Sequence, residues 1–105
     1  MKILFICSKN KWRSRTAETI FRNTPGHKIQ SAGIDIGARV KLTEKHLAWA
    51  DLIFVMETKH RDIIRQKFHE YFDKERIIVL NIPDEYQYMD EELVQELKSS
   101  VSPFL

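Results

Sequence analysis

The chain's single cysteine, Cys7, is followed after five residues by Arg13 and Ser14, and the intervening Ser8-Lys9-Asn10-Lys11-Trp12 is polar or basic except for the tryptophan. A thiol and a guanidinium at this spacing can do phosphoryl chemistry. The sulfur can act as nucleophile, and the planar fork of guanidinium donors matches two oxygens of one phosphate in a way an ammonium cannot. Displacement of a phosphoryl group also needs an acid to protonate the departing oxygen, and later a base to activate water. Asp84, in Ile82-Pro83-Asp84-Glu85-Tyr86, is the candidate for both roles. Asp90 competes with it, but is better explained as the cap of the last helix.

These residues need elements to position them. Ile3 to Ile6 is an unbroken apolar run, long enough for a strand covered on both faces and too short for a stable helix. Beyond the loop, Ala17, Ile20 and Phe21 have the i, i+3, i+4 spacing of an amphipathic helix that begins near Ser14. Cys7 is therefore expected at the carboxyl end of a strand, facing a helix N-terminus. The first-turn N–H groups there lack intrahelical partners and the helix dipole is positive, so an anion is favoured. The competing reading, a cysteine that is merely a small buried hydrophobe, leaves the basic turn unexplained.

Pro25-Gly26 ends the first helix, and His27 to Ser31 reads as a second strand closed by Gly33. Ile34 to Leu42 is a loop, and Thr43-Glu44 caps a short helix through Trp49, a tryptophan expected in the core. Leu52 to Met56 is a buried strand. Thr58 opens a helix with Ile64, Phe68, Tyr71 and Phe72 inward, Ile77 to Leu80 is a fourth strand, and Leu93, Val94, Leu97 and Val101 stripe a final helix. Alternating strands and helices predict an α/β fold, three layers thick, with a four-stranded parallel sheet and right-handed crossovers. Winding outward both ways from the first strand gives the order 2-1-3-4, with Cys7 at the switch point where such sheets bind ligands. Asp84, just past the fourth strand, reaches the same sheet edge.

Residues 1–105 are expected to form one domain. No apolar run approaches a membrane span and no signal-peptide pattern precedes the first strand, so a cytoplasmic protein that meets no membrane is expected. One cysteine cannot form an internal disulfide or a cysteine-rich zinc site. His27, His46, His60 and His69 share no metal-ligand spacing with a carboxylate or thiol on a common face, so packing or solvated roles are expected and no metal or organic cofactor is implied. Net charge is only +2, yet Lys2, Lys9, Lys11, Arg13 and Arg15 all precede the first acid, Glu18. That basic face coincides with the anion site. It is too small to favour nucleic acid as a partner.

The segment Cys7 to Ser14 with Thr16-Ala17-Glu18 resembles the phosphate loop of the low-molecular-weight protein tyrosine phosphatase superfamily, and the short chain is similar to its small bacterial predicted tyrosine phosphatases. The resemblance implies a phosphotyrosine phosphatase I-like fold and a phosphomonoester hydrolase working through phosphocysteine on a phosphorylated protein or small phosphomonoester. It implies Cys7 as nucleophile, Arg13 as phosphate clamp, Asn10 as brace of the loop and Ser14 as hydroxyl donor to the thiolate. Ser8, Lys9, Lys11 and Trp12 complete the substrate-binding loop, and Ser31 supports it. The family's acid loop has Asp followed by Pro and Tyr, which implies Asp84 as acid and Tyr86 against the leaving group, with Glu85 in place of proline.

The chain departs from the family pattern at Lys9, where Gly is usual, at Lys11, usually apolar, at Trp12, usually a second cysteine, and at Arg15, usually Pro. Trp12 could plug the loop from beneath or form an exposed lip. Lys9, Lys11, Arg15 and Arg39 would favour a substrate carrying additional negative charge. Two other functions remain open: a non-catalytic module binding phosphate or nucleic-acid ends, and a cysteine phosphocarrier. A thiol-dependent arsenate reductase is disfavoured, because one cysteine cannot run an intramolecular disulfide relay.

Overall fold

The computed structural model describes all residues, 1–105. Its elements are β1 (Lys2–Cys7), α1 (Arg13–Phe21), β2 (Lys28–Gly33), α2 (Glu44–Trp49), β3 (Leu52–Val55), α3 (Thr58–Lys67), β4 (Ile77–Val79) and α4 (Glu91–Val101). The four strands form one parallel sheet in the order β2-β1-β3-β4, as the alternation of elements predicts.

The central strand shows why its run is continuously apolar. Side chains alternate across a strand. Ile3, Phe5 and Cys7 enter one core layer with Ala17 and Phe21 of α1 and Leu93, Leu97 and Val101 of α4. Leu4 and Ile6 enter the other layer with Leu47 of α2 and Ile64 of α3. Phe5 stacks between Phe21 and Phe54 at centroid distances of 5.8 and 5.3 Å. Burying each such side chain contributes about 1.5–3 kcal/mol, so β1 is the best-anchored element and Cys7 rides on its end.

Trp49 is half-buried against the second layer. The expected stripe on α3 breaks at Phe68, whose φ of −131° and ψ of 39° end the helix. Tyr71 and Phe72 still pack against the second layer, but reach it from a 3₁₀ turn, His69–Tyr71. Apolar spacing specified which side chains go inward without specifying one unbroken helix.

Gly33, at the end of β2, is demanded by close approach. A Cβ there would lie 2.7 Å from the Ser8 carbonyl oxygen, 2.9 Å from the Lys9 carbonyl carbon and 2.7 Å from Ala38 Cβ. The missing side chain lets β2 and the following segment press against the loop after Cys7.

Candidate active site

That contact shapes the loop. The carbonyls of Cys7, Ser8 and Lys9 accept hydrogen bonds from the N–H groups of Ile34, Asp35 and Arg39 at 3.0, 2.9 and 2.9 Å. The Asn10 carbonyl accepts from Arg39 Nε at 2.9 Å. Four successive carbonyls are thereby held against the 34–39 segment. The N–H groups of Ser8, Lys9, Lys11, Trp12, Arg13 and Ser14 donate to no protein acceptor. Trp12 occupies the N-cap position of α1 and supplies no side-chain cap. Uncommitted donors at a helix N-terminus make an anion cradle. Only Asn10 in the loop adopts positive φ, at 55°, a conformation Asn tolerates well. Lys9, where the family usually has glycine, needs no left-handed backbone.

Cys7 is 3% exposed. Its sulfur accepts from Asn10 N at 3.2 Å and lies 2.9 Å from Ser14 Oγ. The direction of that last bond follows from a chain of partners. Glu18 can only accept when ionised, so the Ser31 hydroxyl donates to it. Asn10 Nδ2 then donates to Ser31 Oγ at 2.9 Å and to Ser14 Oγ at 2.7 Å. With its oxygen so occupied, Ser14 has its proton to give, and of the two acceptors in reach the Cys7 sulfur at 2.9 Å is nearer than the Ala32 carbonyl at 3.5 Å. A hydrogen-bond chain from Asn10 through Ser14 thus ends on the sulfur.

Arg13 is 2% exposed, and its NH1 bonds Glu57 Oε2 at 2.6 Å and the Ile82 carbonyl at 2.8 Å. Burial opposes ionisation of Glu57, but the Arg13 hydrogen bond and charge, with Lys59 and His60, more than offset it and hold its carboxyl below the usual range. Asp84 Oδ1 lies 3.7 Å from Arg13 Nε. His60, 1% exposed, places Nε2 2.9 Å from Ser8 Oγ. Burial and the neighbouring Arg13 charge push its pKa down to about 4.

Cys7, Ser8, Lys9, Lys11, Trp12, Arg13 and Asp84 line one cleft of about 150 Å³. Trp12 is 43% exposed and forms a lip of this cleft rather than a plug beneath the loop. Lys9 and Lys11 have no carboxylate partner within 4.0 Å. The other two cations expected at the mouth are committed elsewhere. Arg39 braces Asn10 and approaches Glu18, and Arg15 lies over the Tyr88 ring at 4.3 Å.

Tyr86 does not line the cleft. It packs half-buried against the first core layer and borders α4 beside Glu91 and Glu92. Tyr88 fastens the segment after β4 to α1 instead, with its hydroxyl 2.8 Å from Thr19 Oγ1, and Met89 N donates to Thr16 Oγ1 at 2.9 Å. The aromatic surface beside the thiol is therefore Trp12. Asp90 bonds Glu92 N at 2.9 Å as the cap of α4, as the sequence predicts.

Glu57 and His60 escaped the sequence reading, which gave His60 only a packing or solvated role. The available signal was local: the Glu57 N–H donates to His60 Nδ1 at 3.0 Å, and α2 repeats this capping box with Thr43 and His46. Histidine at the third helical position fills the place usually held by Glu or Gln. Location at the carboxyl end of β3, beside that of β1, turns this cap toward the loop.

An anion cradle over a hydrogen-bonded thiol, at the switch point of a 2-1-3-4 parallel sheet, defines the class of cysteine-based, phosphatase-like hydrolases. Two curated relatives, both named protein-arginine-phosphatase, are 30% identical to this chain. The one from Bacillus subtilis strain 168 matches over 70% of this chain and 67% of its own length, and the one from Geobacillus stearothermophilus over 70% and 66%. The matches thus span about two thirds of these relatives. The solved structure of the tyrosine phosphatase Wzb from Escherichia coli K30 in complex with phosphate superposes with a TM-score of 0.79. It is 26% identical and covers 98% of this chain and 94% of that one. No family model matches the chain. The chain belongs to the low-molecular-weight protein tyrosine phosphatase superfamily.

Proposed function

We propose that this protein, a single domain over residues 1–105, removes phosphoryl groups from phosphotyrosine-type substrates through a phosphocysteine intermediate. The observation that carries the reading is the loop itself: four carbonyls tied back, six N–H groups uncommitted, and Cys7 and Arg13 in the same cleft. In the first step the Cys7 thiolate attacks phosphorus, the bond from phosphorus to the leaving oxygen breaks, and Asp84 gives that oxygen its proton. In the second, the Asp84 carboxylate takes a proton from water as the water oxygen attacks phosphorus. The phosphorus–sulfur bond breaks, inorganic phosphate departs and the thiolate returns. Arg13 and the loop N–H groups bind the phosphoryl oxygens in both steps.

Trp12 offers a ring-sized apolar wall, and the unpaired Lys9 and Lys11 favour an anionic aryl phosphate. The curated relatives support a second reading, phosphoarginine as substrate, and the exposed Asp84 carboxylate could face a guanidinium leaving group. Two lysines at the same mouth oppose that cation, so the aryl phosphate leads.

The test is phosphate release from an aryl phosphate, a phosphotyrosine peptide and a phosphoarginine peptide, with EDTA present, by wild type, Cys7→Ser and Asp84→Asn. Loss of turnover in Cys7→Ser and a phosphocysteine trapped by rapid quench support the mechanism. Faster turnover of the phosphoarginine peptide would replace the first substrate assignment by the second. Phosphate binding without turnover would turn the assignment to a binding module, and stable accumulation of phosphocysteine to a phosphocarrier.

A further inference from the structure

We propose that His60 is a positioning residue which, through its tautomer, directs the hydroxyl proton of Ser8 into the phosphate cleft and makes Ser8 a side-chain donor to the phosphoryl group. The backbone N–H of Glu57 donates to His60 Nδ1 at 3.0 Å. A backbone amide can only donate, so Nδ1 must present its lone pair. A neutral imidazole then carries its proton on Nε2. That nitrogen lies 2.9 Å from Ser8 Oγ, so the ring donates and the serine oxygen accepts. The hydroxyl proton of Ser8 cannot point back at His60, which has no free lone pair on that side. No other protein atom within hydrogen-bond distance competes for it. Ser8 lines the cleft with Cys7, Arg13 and Asp84, where a phosphoryl oxygen is the acceptor available.

Burial makes this orientation durable. His60 is 1% exposed, and the Arg13 guanidinium nearby disfavours an imidazolium. Protonated Nδ1 would set two donors against each other at the start of α3. The same turn carries Glu57, whose carboxylate holds Arg13 NH1 at 2.6 Å. One helical turn thus steers two donors aimed at the same anion: Arg13 through charge, and Ser8 through the ring.

The inference rests on the phosphatase reading only in taking phosphate as the bound anion, and its test needs no turnover. Long-range nitrogen–proton spectra of the full chain at pH 7 should show His60 with its proton on Nε2; an Nδ1-protonated ring or an imidazolium would overturn the proposal. Inorganic phosphate affinity should fall about tenfold in Ser8→Ala, the loss of one hydrogen bond to a charged group. His60→Ala should cause a similar loss, and the double variant should bind no more weakly than either single one. Independent, multiplying effects would mean that His60 does not act through Ser8. If His60→Ala fails to fold, the wild-type spectrum and Ser8→Ala still decide. Unchanged phosphate affinity in Ser8→Ala refutes the proposal even in an active phosphatase, whereas an oriented ring and weakened binding in an inactive protein would spare it and refute the hydrolase.

Discussion

Replacing Gly33 by alanine tests how the cradle is held open. The new methyl would sit 2.7 Å from the Ser8 carbonyl oxygen and 2.9 Å from the Lys9 carbonyl carbon, where ordinary contact begins near 3.4 Å. Strand or loop must yield by about 0.7 Å against the shorter of these. Neither moves freely, because the same carbonyls accept from Asp35 and Arg39 and β2 is paired to β1 along its length. Overpacking costs about 1–3 kcal/mol, and two backbone obstacles out of three place this case at the upper end. At about 4–8 °C per kcal/mol for a chain of this size, thermal unfolding followed by circular dichroism should drop roughly 10–20 °C. Phosphate affinity should fall with it, by about tenfold or more, since a displaced loop misplaces every donor at once. Ala38→Gly in the Gly33→Ala background removes only the side-chain obstacle and should recover less than half of either loss. A Gly33→Ala protein melting within about 3 °C of wild type, with unchanged phosphate binding, would refute the idea that close approach at this glycine shapes the site.

Other expectations follow from the site. Asp84→Asn should slow the formation of phosphocysteine about 10²- to 10⁴-fold for leaving groups as basic as the tyrosine phenolate, with much less effect on activated aryl groups that depart without a proton and little on phosphate affinity; equal losses in that step for both would remove Asp84 as the acid. The folded pKa of His60, about 4, lies below its ordinary 6.5, so its stabilising contribution is complete above pH 6.5 and declines as pH falls toward 4, on the order of 3 kcal/mol in all. Glu57, also depressed, adds a loss of the same sign at lower pH. Urea unfolding at pH 7.5 and 5 should show wild type losing stability where His60→Gln loses less, and parallel slopes would count against this. Lys11→Ala should reduce kcat/KM for phosphotyrosine peptides flanked by acids several-fold, the worth of one exposed ion pair, and raising salt should erase the difference.

Sequence and structure agree where local chemistry was sufficient. The Ile3–Ile6 run could only be a strand covered on both faces, and the order of elements then placed Cys7 at the sheet's switch point. Cys7, Arg13 and Ser14 were legible because one loop supplies them all. Glu57 and His60 were not, since they lie 44 and 52 residues from Arg13 and Ser8 and meet them only once β3 lies beside β1. The segment after β4 was half legible. Asp84 follows a strand end, but the path beyond it has no period, and the left-handed turns at Asn81 and Met89, with φ of 57° and 62°, decide which tyrosine faces what. Tyr86 was chosen by its neighbour in sequence, whereas Tyr88 is the one fastened to α1.

Trp12 stands where relatives commonly carry a second thiol, and Cys7 is the only cysteine in these 105 residues. Peroxide attack on the thiolate would yield a sulfenic acid with no intramolecular thiol to condense with, leaving it open to further, irreversible oxidation. Recovery then depends on a small external thiol entering a cleft of about 150 Å³, and bound phosphate closes the same route to oxidant and rescuer alike.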